Sequence, residues 1–224
     1  MPASRPQAWW RHPRQRRAAS GPAKARPRSK AAAGSIATPG APWLRSRCPW
    51  TSGGIGKGLA IRWAATVLAA VIPEVDDPGV GVLLEAGGDL VARGRAPQGG
   101  PWMVAIEDPG GAEEPAIVAL EEGAICTSSV TVHRWRTVDG RDVHHLLDPR
   151  TGEPGGAGLV SVTVSGPDPA WAEVWSKTLF LEGAARIGPR ARALGLAAWW
   201  IREDGSLEMT PAARERTAWV RGED

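Results

Sequence analysis

The chain has no Tyr and no Asn, and only four Lys against 23 Arg in 224 residues. A skew of that kind is expected of GC-rich coding, so the arginine count by itself argues for no particular chemistry. Cysteine is almost as scarce: Cys48 and Cys126 form no C-x-x-C pair and lie on opposite sides of a compositional break. Neither a zinc framework nor a structural disulfide is indicated, and the redox compartment stays open. No uncharged apolar run approaches the roughly 18 residues that a spanning helix needs. No apolar core of about 7–15 residues follows the N-terminal charges, so no secretory signal is read and the expected location is cytoplasmic. A different N-terminus would reopen export or membrane association.

Acidic residues are missing from residues 1–50 altogether, where eleven Lys/Arg and eight Pro stand. That segment carries +11 and the remaining 174 residues carry −8, so the net charge of +3 describes neither part. Stretches such as "RHPRQRRAAS" and "KARPRSK" could draw nucleic acid or an anionic membrane by charge alone. No amphipathic period or interleaved aromatic platform accompanies the charge. The expectation is therefore a solvated, disordered tail with no nucleic-acid partner. Residues 51–224 are long enough to bury one core, as one domain or two tightly joined lobes.

Within that body, apolar residues at 61, 64, 65, 68, 71 and 72 predict a helix over 57–72, stopped by Pro73 and "DDPG". Strands are expected at 80–86, 101–108, 116–122, 124–128, 130–138 and 159–165, with "VDGR" (138–141) as a hairpin turn. Asp168 can cap, and Pro169 can open, a second helix through "AWAEVWSKTLFLEG". The pattern is a strand-rich α+β domain with helices at both ends.

The candidate sites are ambiguous one at a time. "GGIGKGLA" (53–60) is either a flexible helix entry or an anion cradle to which Lys57 adds charge; Gly58 after the Lys rules out a Walker A loop. "EAGGDL" (85–90) is either a tight turn with Asp89 exposed or a place where Gly87 and Gly88 admit a ligand close to the backbone. Thr127, Ser128 and Ser129 offer hydroxyls to phosphate or to strand-end backbone. The spacings of His133, His144 and His145 match no standard zinc pattern. Adjacent strand residues face opposite ways, so at most one of His144 and His145 enters a given cleft. In "HHLLDPRTGEP" (144–154), Asp148 can stabilise a turn and Arg150 is free to fork onto a phosphate.

In order, "GGIGKGLA", "LLEAGGDL", "WMVAIEDP", "AICTSS", "HHLLDPRTGEP", "GLVSVTVSGP" and "AEVWSKTLFLEG" resemble the successive motifs of the ApbE family, the FAD:protein FMN transferases. The likeness spans residue 53 to about residue 200, and H-x-x-D-P-R-T-G is its most distinctive element. It implies an ApbE-like, T-fold-related α+β domain with an antiparallel-rich sheet and flanking helices. It also implies an enzyme that uses FAD and a divalent metal, usually magnesium, to attach FMN to a Thr or Ser hydroxyl of a flavoprotein acceptor, releasing AMP. By the same resemblance His145 is the catalytic histidine, Leu146 and Leu147 line the flavin site, and Asp148 braces the loop. Lys57, Gly87, Gly88, Asp89, Thr127 and Ser128 fall at FAD-contacting positions. Gly54, Glu173, Ser176 and Lys177 fall at metal-associated ones.

The sequence also departs from the family pattern. Thr51-Ser52 stands where the family has Asp-Leu, and nothing in residues 1–50 resembles the family's usual N-terminal portion. Glu173 and Lys177 replace an Asp and a Thr, and a protonated Lys cannot ligate a metal. The pair is either an ordinary i,i+4 surface ion pair, worth about 0.3–0.5 kcal/mol, or an ammonium replacing part of a metal's charge. These departures leave a second reading open, a non-catalytic flavin-binding or partner-binding member of the family.

Overall fold

The computed structural model describes residues 5–7, 53–71, 81–111 and 113–223. Most of the basic segment with Cys48, the Thr51-Ser52 pair, and the helix stop at Pro73 and "DDPG" lie outside the described residues. Arg5 does not behave as part of a solvated tail. Its guanidinium pairs with Glu113 and Glu114 and sits 4.8 Å above the Trp219 ring. Two carboxylates and an aromatic face are what a delocalised cation seeks at a surface.

The first helix, α1 (Gly56–Val71), forms where the apolar period placed it, with Ile61 and Ala65 buried. Strands β1 (Val82–Ala86) and β2 (Asp89–Arg93) follow as a hairpin turned at Gly87 and Gly88, both with positive φ. The sequence reading took this region as one strand and a turn; β2 has no alternation to betray it, because four of its five residues are buried. Next come β3 (Trp102–Ile106), β4 (Ala116–Leu120) and β5 (Gly123–Ser129). The strand expected over 130–138 shrinks to β6 (Arg134–Arg136), which pairs with β7 (Asp142–His144) across the "VDGR" turn. Then β8 (Leu159–Gly166) leads into α2 (Pro169–Glu182), whose cap is the expected one: Asp168 accepts the N–H groups of Ala170 and Trp171.

Beyond α2, where the sequence reading named no element, the chain adds more sheet. A short α3 (Ile187–Ala193) is followed by β9 (Ala197–Arg202), β10 (Leu207–Met209), the single turn α4 (Pro211–Arg214) and β11 (Thr217–Val220). The run "AAWWIR" in β9 is buried on both faces, so it shows no period from which a strand could be read.

The strands assemble into a six-stranded antiparallel sheet, ordered β1-β2-β5-β8-β9-β10, and a three-stranded sheet, β11-β4-β3. One face of the large sheet buries Leu90, Ile125, Trp199 and Ile201 against Trp102, Val104, Val118 and Leu120 of the small one. The other face carries the helices: Val162, Val164 and Trp200 meet Leu179, Phe180 and Ile187, while Val91 and Cys126 meet Ile61, Ala65 and Ala172. Three layers result, with helices, a central sheet and a second sheet. Among the described residues no helix is long and apolar enough to cross a membrane.

Candidate active site

The start of α1, the β1–β2 turn and α2 converge around Cys126 on β5. Burial is the main influence pushing the Cys126 thiol pKa up, and the nearby Asp89 and Glu173 carboxylates add to it against Lys57 and Lys177. Four charged side chains therefore surround one buried thiol. Its Sγ donates to the carbonyl of Pro169 at 3.5 Å, so Cys126 is an inert packing residue.

Two of the charges form one pair. Lys57 places Nζ 2.8 Å from Asp89 Oδ2 and 3.4 Å from the carbonyl of Gly87. Asp89 is fully buried, not exposed at a turn tip, and its Oδ1 accepts the Thr127 N–H at 3.1 Å. Burial raises its pKa, with Lys57 the leading opposing influence. The turn brings Gly87, Gly88 and Lys57 together as a polar rim, and Gly88 N–H is held by Glu85 at 2.7 Å. Thr127 points to Thr163 across the sheet, Oγ1 to Oγ1 2.9 Å.

The other two charges lie on α2. Glu173 is 1% exposed; Oε2 accepts the Gly58 N–H at 2.7 Å and Oε1 takes the Lys177 ammonium at 2.9 Å. With side-chain exposures of 19% and 1%, this is not the surface ion pair that i,i+4 spacing allowed. Ser176 donates to the Glu173 carbonyl at 2.9 Å, so Ser128, 2.8 Å away, donates to Ser176. Each of these side chains has a hydrogen-bond partner inside the protein.

Magnesium demands near-octahedral oxygen ligands, and this donor set does not fit it. Both Glu173 oxygens already accept donors, Lys177 supplies none, and Gly54 lies on an exposed turn with open space around it. Among the described residues no three His, Cys, Asp or Glu side chains are grouped as metal ligands.

Gly58 is the residue that sequence reasoning missed. A Cβ there would fall 2.5 Å from the Pro169 carbonyl oxygen and 2.6 Å from Ala170 Cα. The glycine lets α1 approach the first turn of α2 and present its N–H to Glu173. A glycine one turn inside a helical period was the available signal.

The histidine loop leaves β7 and is closed by a Leu147–Pro154 bridge. Asp148 grips Arg150 with both oxygens, 2.7–3.1 Å, and takes the Arg150 N–H at 2.9 Å. Arg150 is thus committed to the loop and not free for a ligand. Its guanidinium holds the Asp148 carboxyl at about 2, below its ordinary 3.8. Asp148 does brace the turn, through its backbone as well: its carbonyl accepts the N–H groups of Thr151 and Gly152.

The two histidines part as strand alternation requires. His144 turns inward, its ring 5.8 Å from that of Phe180 and its Nδ1 accepting the Leu146 N–H at 3.2 Å. His145 is exposed, anchored by its N–H to the His133 carbonyl at 3.2 Å and set edge-on to the His133 ring at 5.0 Å. Desolvation is the main cause lowering its pKa, opposed by the hydrogen bond to the His133 carbonyl, and the electrostatic influences of His133, His144 and Lys177 act with it. Leu146 is buried in the core, whereas Leu147 is half exposed.

Fold and site together define a three-layer α+β domain with an exposed histidine on a braced loop and two lysine–carboxylate pairs around Cys126. Residues 10–200 match the ApbE family, and the chain belongs to that family. The match begins upstream of the Gly-Gly motif from which the sequence likeness ran.

The FAD:protein FMN transferase of Salmonella typhimurium is 38% identical over 125 residues, 55% of this chain and 35% of its own. That of Rhodobacter capsulatus is 31% identical over 172 residues, 76% of this chain and 31% of its own. The ApbE protein of Thermotoga maritima superposes with a TM-score of 0.63 at 29% identity, covering 73% of this chain and 52% of the other. The apo form of the Pseudomonas stutzeri flavinyl transferase ApbE gives 0.60 at 32%, covering 73% and 50%. The chain therefore spans about a third of the length of these curated relatives and about half of these solved ones.

Proposed function

We propose that the protein is a flavin transferase that attaches FMN from FAD to a Thr or Ser hydroxyl of an acceptor polypeptide, releasing AMP. The observation that carries the reading is His145: exposed, held by the His133 backbone, kept neutral near pH 7, and within electrostatic reach of Lys177. In this reading the acceptor hydroxyl oxygen attacks the phosphorus on the riboflavin side of the pyrophosphate. The bond from that phosphorus to the bridging oxygen breaks, AMP leaves with the oxygen, and the hydroxyl proton passes to a neutral His145 Nε2. Lys57 and Lys177, each oriented by a carboxylate, supply in this reading the positive charge that offsets negative charge accumulating on the phosphates. Leu147 offers apolar surface to the isoalloxazine ring. The names of the relatives support the same substrate and the same transfer.

The test is incubation of the full chain with FAD and a Thr-bearing acceptor, with and without Mg²⁺, followed by mass spectrometry of the acceptor. Covalent FMN that disappears with His145→Ala is expected. FAD binding with no transfer under either condition would overturn the enzyme reading in favour of a flavin-binding member without catalysis, which the sealed Glu173–Lys177 pair also fits.

A further inference from the structure

The Glu173–Lys177 pair points beyond this reading, while resting on it for the identity of the ligand. Glu173 is sealed by two donors, one the Gly58 backbone and one the Lys177 ammonium. An ammonium has three donors; one lies on Glu173 Oε1, and the Lys177 side chain is not fully buried, with 19% of its surface exposed. A divalent ion brought to Glu173 would have to displace one of these donors and sit within a few ångströms of a fixed positive charge, in surroundings where burial weakens screening. Lys57, held by Asp89, adds a second ammonium whose charge also reaches Cys126.

We propose that Lys177 is the resident cation of this site, so that the chain binds a nucleotide pyrophosphate without a divalent metal. Glu173 orients the ammonium and Gly58 orients Glu173, which makes the charge available in a fixed position with no ion to recruit. Serine hydroxyls complete the support: Ser176 donates to the Glu173 carbonyl and Ser128 donates to Ser176, which fixes the helix backbone beneath Glu173.

The experiment uses the full chain, Mn²⁺ as a paramagnetic probe, and FAD. In the wild type the free Mn²⁺ resonance should be undiminished by protein, with or without FAD beyond what FAD alone takes up. FAD affinity in EDTA should equal that in MgCl₂ within about twofold. Lys177→Arg should keep this behaviour. Lys177→Thr should weaken FAD binding in EDTA about tenfold or more, the share of one charge-assisted phosphate contact, and should gain Mn²⁺ uptake that a further Glu173→Gln removes.

Uptake of Mn²⁺ by the wild type, lost with Glu173→Gln, overturns the proposal. So does FAD binding that needs Mg²⁺, FAD binding absent in both media, or a Lys177→Thr chain that keeps wild-type affinity in EDTA. Metal-independent FAD binding without FMN transfer would leave this proposal standing while the transferase reading falls.

Discussion

Glu173 on α2 receives the backbone N–H of Gly58 on α1 at 2.7 Å, so one buried carboxylate both ties two helices together and aims the Lys177 ammonium. The contact exists only because position 58 has no side chain. Gly58→Ala would gain about 0.5–1 kcal/mol in helix propensity, but its methyl would meet backbone of α2 at 2.5–2.6 Å. Backbone yields less than a flexible side chain, so the clash outweighs the gain. A net loss of about 1–3 kcal/mol is expected in urea unfolding, and a variant as stable as the wild type would contradict the helix contact.

The two adjacent histidines should separate cleanly under mutation. His145→Ala should lower the rate of FMN transfer by about 10²–10⁴-fold, the usual share of a general base, with little change in melting temperature. His144→Ala should instead lower stability by about 1–2 kcal/mol, through loss of the Phe180 contact and the hydrogen bond to Leu146 N–H. Because partial desolvation of the imidazole lowers the His145 pKa, the acidic limb of the transfer rate should lie below the ordinary 6.5. An imidazole titration by NMR gives an independent reading of the same value.

Asp148 supplies a pH test of the loop. Its folded-state pKa is depressed to about 2 from 3.8, so its contribution to stability is fully present above pH 3.8 and lost as pH falls through about 2. Asp148→Asn lacks that contribution at every pH. The difference in melting temperature between the two chains should be greatest above pH 4, roughly the ordinary carboxylate value, and should close on acidification. A difference that does not change with pH would mean that the Arg150 clasp is not what holds the turn.

Lys57 and Asp89 should be energetically coupled. Lys57→Met leaves a fully buried carboxylate without its paired ammonium, a loss of about 1–3 kcal/mol at neutral pH, moderated because the lysine is partly exposed and because the Lys177 charge still reaches Asp89. Burial already raises the Asp89 pKa, so the variant should recover stability on acidification as Asp89 takes up a proton. A double-mutant cycle with Asp89→Asn should return a coupling of about 0.5–3 kcal/mol. Additive effects would show that the pair is incidental.

Much of this architecture was legible from the chain alone. The period of α1, the Asp168-Pro169 start of α2 and the "VDGR" hairpin all rest on local chemistry, and each appears where that chemistry places it. Strand β9 was hidden because Trp199 and Trp200 are both buried, on opposite faces of the sheet, and a strand buried on both faces shows no alternation. At the candidate site, the residues were named but their engagements were not. Arg150 looked available for a ligand because nothing in sequence says that Asp148, two residues away, takes both arms of its fork. The Glu173–Lys177 spacing likewise allowed a surface pair, and only the packing of α1 against α2 shows it to be sealed.

The opposed orientation of His144 and His145 ties the chemistry of the loop to a matter of parity. In the β6–β7 hairpin Arg134 stands opposite His144, and successive side chains point to opposite sides. Inserting or deleting a single residue between the "VDGR" turn and His144 would rotate the pair by half a turn. The ring that packs on Phe180 would swing to solvent, and the exposed one would be driven into the core. Changes of two residues would restore both. An even change of length in this hairpin keeps the side of the sheet that His144 faces, and an odd one reverses it.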